Sequence, residues 1–339
     1  MFYKISKLFM ITLFAFSPLL SFTPQASANT GSELETETYD HKIVERPTLP
    51  EVQTIDSTGE ELGRVYAGDR GISDRHLKVT ATILKNVTLP TIKKNMAYED
   101  LKKSFPQLKN VPFKIILFSN ERTYRNSLVK AGLPDESVDN IVNNTGGITD
   151  GTRIWIPLYV YNDKSQLAHY LTHELTHVLF QYSGLEGKSP IWFEEGLAVY
   201  NGFTAQQMVN PTSTRSSYHG LKKDLKEFKS KDGKFSLKSN QEDLLNASNN
   251  VEGLYFMAVK QLIKYDGLDG INQMIEELAT TDIQSSFLTT YGITINEYES
   301  FFLKRANGSS YIADDSTTNN YDDTEIFNIL FNPGYRVSW

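Results

Sequence analysis

The sequence predicts an α+β protein: a small N-terminal α/β lobe with a mixed sheet and an edge hairpin, then an all-helical C-terminal lobe. Three observations carry that prediction. Strand-like composition is confined to the segment before residue 164. From 164 to 306 the apolar spacing is helical, broken by polar stretches near 184–189, 208–217 and 230–235. At the junction stands "HYLTHELTHVLF" (169–180), a helix that carries three of the six histidines of the chain.

The elements follow in order. Lys4 and Lys7, the apolar run Leu8–Phe22 and the small-residue pattern Ala26-Ser27-Ala28 read as a signal peptide over 1–28. The run is too short for a stable membrane span, so the mature chain is expected to be secreted, starting near Asn29. Residues 29–60 are acidic and aperiodic, and read as a linker or pro-segment. The α/β lobe is expected over 61–163. In it "SDRHLKVTATILKN" (73–86) and "AYEDLKKSF" (97–105) read as helices, and "FKIILFS" (113–119) as a strand. "NERTYRNSLVKAG" (120–132) is a helix closed by a glycine. "GGITDGTRIWIPLYVY" (146–161) is a hairpin with Asp150-Gly151 as its turn signal. The helical lobe covers 164–306, and a polar then aromatic tail covers 307–339.

Composition narrows the function classes. The net charge of −7 argues against nucleic acid as a partner, because phosphate binding needs a basic surface. The chain has no cysteine, so neither a disulfide framework nor thiol chemistry is open to it.

On a helical wheel Leu167, Leu171, Leu175, Val178, Leu179 and Tyr182 form one broad apolar face. His169, His173, His177 and Glu174 fall opposite, so the core face is filled without any histidine. His173-Glu174-Leu175-Thr176-His177 matches H-E-x-x-H. Residues one turn apart share a face, so His173 and His177 can converge on one metal while Glu174 reaches beside it as general base for an activated water. His169 lies about 12 Å along the axis from His177, too far to share the ion, and is assigned a surface or substrate-contact role.

A catalytic zinc usually takes a third protein ligand. No histidine occurs between 178 and 218. "SPIWFEEGLAVY" (189–200) follows instead, a nearly all-apolar helix whose only charges are Glu194 and Glu195. The wheel does not separate those two glutamates.

His173-Glu174-x-x-His177 followed by Trp192-x-x-Glu195-Gly196-x-Ala198 resembles the gluzincin zinc metallopeptidases of the peptidase MA clan, above all the peptidase MA-like domains. The resemblance covers roughly residues 110–305. It implies zinc as cofactor, Glu195 as third ligand and an oxyanion-stabilising tyrosine from a later helix. Tyr255 in "GLYFMAVKQLIKYDG" (253–267) is the matching position, with His219 as rival donor. The implied activity is hydrolysis of a peptide or protein substrate, with an extended chain pairing to the strand around Arg153–Leu158, as an endopeptidase would bind it. Two departures stand out. The substrate-amine glutamate of the related aminopeptidases is missing from the hairpin. After Glu195, Val199, Asn201 and Gly202 stand where relatives carry an acid that orients a zinc histidine, so that partner is unassigned. The competing expectation is a non-catalytic, zinc-containing binding or surface-associated module on the same fold.

Overall fold

Two strands the sequence reading did not foresee open the sheet. The computed structural model describes residues 51–55, 61–110, 113–185, 187–230, 236–237 and 251–307. Within it β1 (Glu51–Ile55) pairs antiparallel with β2 (Glu61–Ala67). β1 therefore falls inside the stretch read as a linker. β3 (Lys114–Phe118) runs parallel to β2, and the hairpin of β4 (Ile148–Asp150) and β5 (Arg153–Pro157) completes the sheet in the order β1-β2-β3-β5-β4. The protein is thus mixed α+β, mostly helical, with one small mixed sheet.

The hairpin turns on Gly151-Thr152, one residue later than its turn signal, with Gly151 at φ 59° and Asp150 still paired to Arg153. β5 lies between β3 and β4, so it cannot accept a further strand. The free edge on this side of the described sheet is β4. This corrects the expectation that a peptide would pair with Arg153–Leu158.

The central strands are apolar on both faces, as parallel strands buried between layers are. Ile115, Leu117, Ile154 and Ile156 join the main core. Phe118, Ile148 and Trp155 face a second cluster with Tyr124, Leu128, Val138 and Ile141. The second cluster is closed by α4 (Glu121–Lys130) and α5 (Asp135–Asn144). The main core is covered by α1 (Asp74–Ile83), a π turn (Leu84–Thr88), α2 (Leu89–Asn95), α3 (Tyr98–Ser104) and the histidine helix α6 (Lys164–Ser183).

Both ends of α6 are fixed locally. Asp163 Oδ1 accepts from the backbone N–H groups of Ser165 and Gln166, and Gly184 ends the helix at φ 66°. α7 (Ile191–Val209) starts after Pro190 and packs along α6. The break expected over 208–217 shrinks to Asn210, and α8 (Pro211–Ser230) follows directly. α9 (Glu252–Glu277) is interrupted at Gly267 and packs on α7, followed by α10 (Ile283–Tyr291) and α11 (Ile295–Asn307). Among the described residues, no strand occurs after β5, and no helix is long and apolar enough to cross a membrane. The segment expected as signal peptide (1–28) lies outside the described residues, and so does the expected tail (307–339) except Asn307, which ends α11.

A polar seam aligns α2, α6 and α7. Thr172 Oγ1 donates to Ala168 O at 2.7 Å and lies 3.0 Å from Thr88 Oγ1. Asn201 Nδ2 donates to Thr176 Oγ1 and Asn95 Nδ2 to Asn201 Oδ1, each at 3.1 Å. Every one of these groups is buried, and satisfying them fixes the axial register of the three helices. Asn201, where an acidic partner was sought, therefore serves this seam rather than a histidine.

Candidate metal centre

The polar side of α6 is not a solvent face. His173, Glu174 and His177 are 0% exposed, because α7 packs along α6 and the β4 hairpin lies against Glu174. α7 carries Glu194 and Glu195 inward as well, at 5% and 3% exposure, so neither glutamate reaches water at the helix edge. Burying five ionisable groups of two helices together is costly unless each finds a partner.

The close approach of the helices rests on Gly196. A Cβ there would lie 2.4 Å from the Tyr255 carbonyl oxygen, so only glycine lets α9 cross α7 at this point. Trp192, four residues earlier, donates from Nε1 to Glu299 at 2.8 Å and stacks on Tyr298, which ties α11 to the same helix. The glycine and the tryptophan of the motif thus hold the helix that carries Glu195.

Three donor atoms meet at one point. His173 Nε2 and His177 Nε2 are 3.1 Å apart, and Glu195 Oε2 lies 3.6 Å from each. These contacts to Glu195 are too long for hydrogen bonds. They match the spacing between donors of a tetrahedral site, about 3.3–3.4 Å when metal–ligand bonds are about 2.0–2.1 Å. Among the described residues this is the one histidine–carboxylate group compact enough to hold a metal ion. The carboxylate oxygen Glu195 Oε2 is buried with no hydrogen-bond partner, which is what a ligand atom awaiting a cation looks like. Two imidazoles and a carboxylate are a donor set that suits zinc, so the residues present fit that ion.

Glu194 answers the question of orientation. Its Oε1 lies 2.8 Å from His177 Nδ1. An ionised carboxylate only accepts, so Nδ1–H donates and the Nε2 lone pair faces the cluster. The charges agree. Burial disfavours a cationic His177, yet the carboxylates of Glu195 and Glu194 raise its pKa well above the ordinary value. Burial likewise opposes ionisation of Glu195, but His177 and His173 hold its carboxyl down to about 2. The site favours a positive charge between these residues, and a metal ion supplies one.

Glu174 stands beside the triad. Burial raises its pKa, opposed by the two histidines and by a hydrogen bond from Thr149. Thr149 Oγ1 donates to Glu174 Oε2 at 2.7 Å, and Oε1 has no hydrogen-bond partner. A buried carboxylate with one oxygen held and one open is equipped to take up a proton.

The remaining candidates separate. His169 is half-buried rather than on the surface, with its ring edge-on to Phe203 at 4.8 Å and 6.4 Å from the ring of His173. Burial pushes its pKa down to about 3, so it is a neutral packing neighbour of the site. His219 is exposed on α8, outside the buried cluster. Tyr255 is fully buried, its backbone against Gly196. One turn earlier, Glu252 is also buried, and burial together with Glu195 and Glu174 raises its pKa well above the ordinary value.

Sequence reasoning missed Glu194, Thr149 and Glu252. For Glu194 a signal existed: a paired glutamate inside an apolar helix needs two buried partners, and only one was assigned. Thr149 and Glu252 carried no signal, since their place depends on how the hairpin and α9 dock. A scan against protein-family models finds no match, and a search of curated proteins finds no match either.

Proposed function

We propose that this chain is a secreted zinc metallopeptidase of gluzincin type that hydrolyses peptide bonds, acting as an endopeptidase. The observation that carries the reading is the buried convergence of His173, His177 and Glu195, with Glu174 beside it holding one open oxygen. In this reading the sheet-bearing and helical parts form two lobes, with the H-E-x-x-H helix at their junction. His173, His177 and Glu195 hold the zinc, which when bound polarises the scissile carbonyl and acidifies water. Glu174 accepts the proton of the attacking water and passes it to the leaving amine. Glu194 keeps His177 in the ligating tautomer through Nδ1. Tyr255 is the proposed donor to the tetrahedral oxyanion, contributed by α9. An extended peptide pairs with the open edge of β4, next to Glu174, rather than with β5. Secretion rests on the N-terminal pattern at Lys4, Lys7 and Ala26–Ala28.

The test uses mature chain from Asn29 onward and a mixture of unblocked and end-blocked peptides, with and without a chelator. Internal cleavage that is lost on chelation, restored by zinc and absent in Glu174→Gln supports the reading. Zinc binding without cleavage of any peptide favours the non-catalytic module instead.

A further inference from the structure

Resting on that peptidase reading, we infer that Thr149 is a positioning residue for the general base: its hydroxyl fixes one oxygen of Glu174 and so reserves the other for the reacting water. The hydroxyl has one proton to give. Its contact with Glu174 Oε2 is 2.7 Å, and that with the Glu174 backbone oxygen is 3.1 Å, so the shorter bond to the carboxylate dominates. Both residues are fully buried.

Thr149 is presented by the pleat of β4. Ile148 turns into the second apolar cluster, so its neighbour turns to the opposite face, where α6 lies. The strand is held in register by Ile148–Trp155, Thr149–Ile154 and Asp150–Arg153 pairing. The β-branched side chain is stiff at χ1, which suits a donor that must stay in one place. The other side of Glu174 is bounded as well. A Cβ on Gly147 would lie 3.4 Å from Glu174 Cγ and 3.1 Å from the Trp155 carbonyl oxygen, so the hairpin backbone runs against the carboxylate stem. Glu174 is thereby held between the backbone at Gly147, just before β4, and the Thr149 hydroxyl on it. A long, flexible side chain is placed before substrate arrives, and the free oxygen is Oε1.

The experiment compares Thr149→Val and Thr149→Ser with wild type in the full mature chain loaded with zinc, and Thr149→Ala replaces valine if that variant does not fold. Thr149→Val is expected to lower kcat on the order of 10- to 100-fold. KM and the zinc dissociation constant, read by chelator competition, are expected to stay within about twofold. Thr149→Ser is expected to recover most of kcat. A second readout needs neither metal nor activity: a urea-unfolding cycle of metal-free wild type, Thr149→Val, Glu174→Ala and the double variant. Coupling predicts that Thr149→Val destabilises the wild type but not the Glu174→Ala background. An active wild type whose kcat is unchanged by Thr149→Val, or a cycle without coupling, overturns the role of Thr149 alone. A wild type that hydrolyses no peptide overturns the peptidase reading, and the general-base role of Glu174 with it.

Discussion

Asp69 and Glu195 are both carboxylates with little access to solvent, and the protein treats them in opposite ways. Asp69 sits just past the end of β2. It accepts from Ser119 Oγ at 2.6 Å, Ser119 N at 2.8 Å, Thr123 Oγ1 at 2.7 Å and Gly71 N at 2.8 Å. Both of its oxygens are used, and all four donors are local to the ends of β2, β3 and α4. Burial opposes its charge, but these hydrogen bonds together lower its pKa. Glu195 is as buried, yet Oε2 has no hydrogen-bond donor, only two imidazole nitrogens at 3.6 Å. The contrast separates a structural carboxylate from a candidate ligand: the first is closed by the protein, and the second is left open toward a shared point.

Substitutions at the two sites break or sharpen that contrast. The largest expected effect belongs to Glu174→Gln, which lowers kcat by about 100- to 10,000-fold while zinc stays bound, because an amide cannot accept the proton of water. Peptide cleavage and elemental analysis of the same sample check both halves. Next is Glu195→Gln, which weakens zinc on the order of 1000-fold or more by removing an anionic ligand. Glu194→Gln follows. It leaves all three ligands in place but removes the carboxylate on His177 Nδ1, and a loss of about 10- to 100-fold in zinc affinity is expected by chelator competition. An unchanged affinity in Glu194→Gln would mean that His177 needs no anionic partner.

At the closed site the effects fall on stability, not on metal. Asp69→Ala strands several donors and is expected to cost about 2–4 kcal/mol in urea unfolding, with zinc affinity unchanged. The smallest effect is in pH. A carboxyl whose folded pKa is lowered stabilises the fold above its unfolded value, and that stabilisation is lost as pH falls through the folded one. An ordinary aspartate carboxyl titrates near 3.8, and that of Asp69 in the fold lies lower. The stability gap between wild type and Asp69→Asn should therefore be full at neutral pH and close below about pH 4. Chemical unfolding of the metal-free chain at a series of pH values reads this directly.

Much of the candidate metal site was legible before the fold. The spacing of His173, Glu174 and His177 is a property of one helix, so the sequence alone places them on a face. The resemblance picked Glu195 over Glu194, and it is Glu195 Oε2 that lies near both imidazoles. What the wheel did not give is burial: an all-polar stripe reads as solvated unless the partner helix is known, and α7 covers it here. β1 and β2 were missed because "EVQTI" and "ELGRVYA" are half polar and gain their strand character only by pairing. β5 was mistaken for an open strand because strand order is a long-range property that no local pattern encodes. The Asp69 cluster escaped for the same reason, since Ser119 and Thr123 are about fifty residues away in the chain.

The central claim is that the open carboxylate and the two imidazoles await one metal ion. Untagged mature protein, dialysed free of metal and then against dilute zinc, measures it most directly by elemental analysis. One zinc per chain in wild type, with none retained by Glu195→Gln and one retained by Asp69→Asn, is the predicted result. A wild type that takes up no transition metal, or that binds zinc as well without Glu195 as with it, would contradict the account.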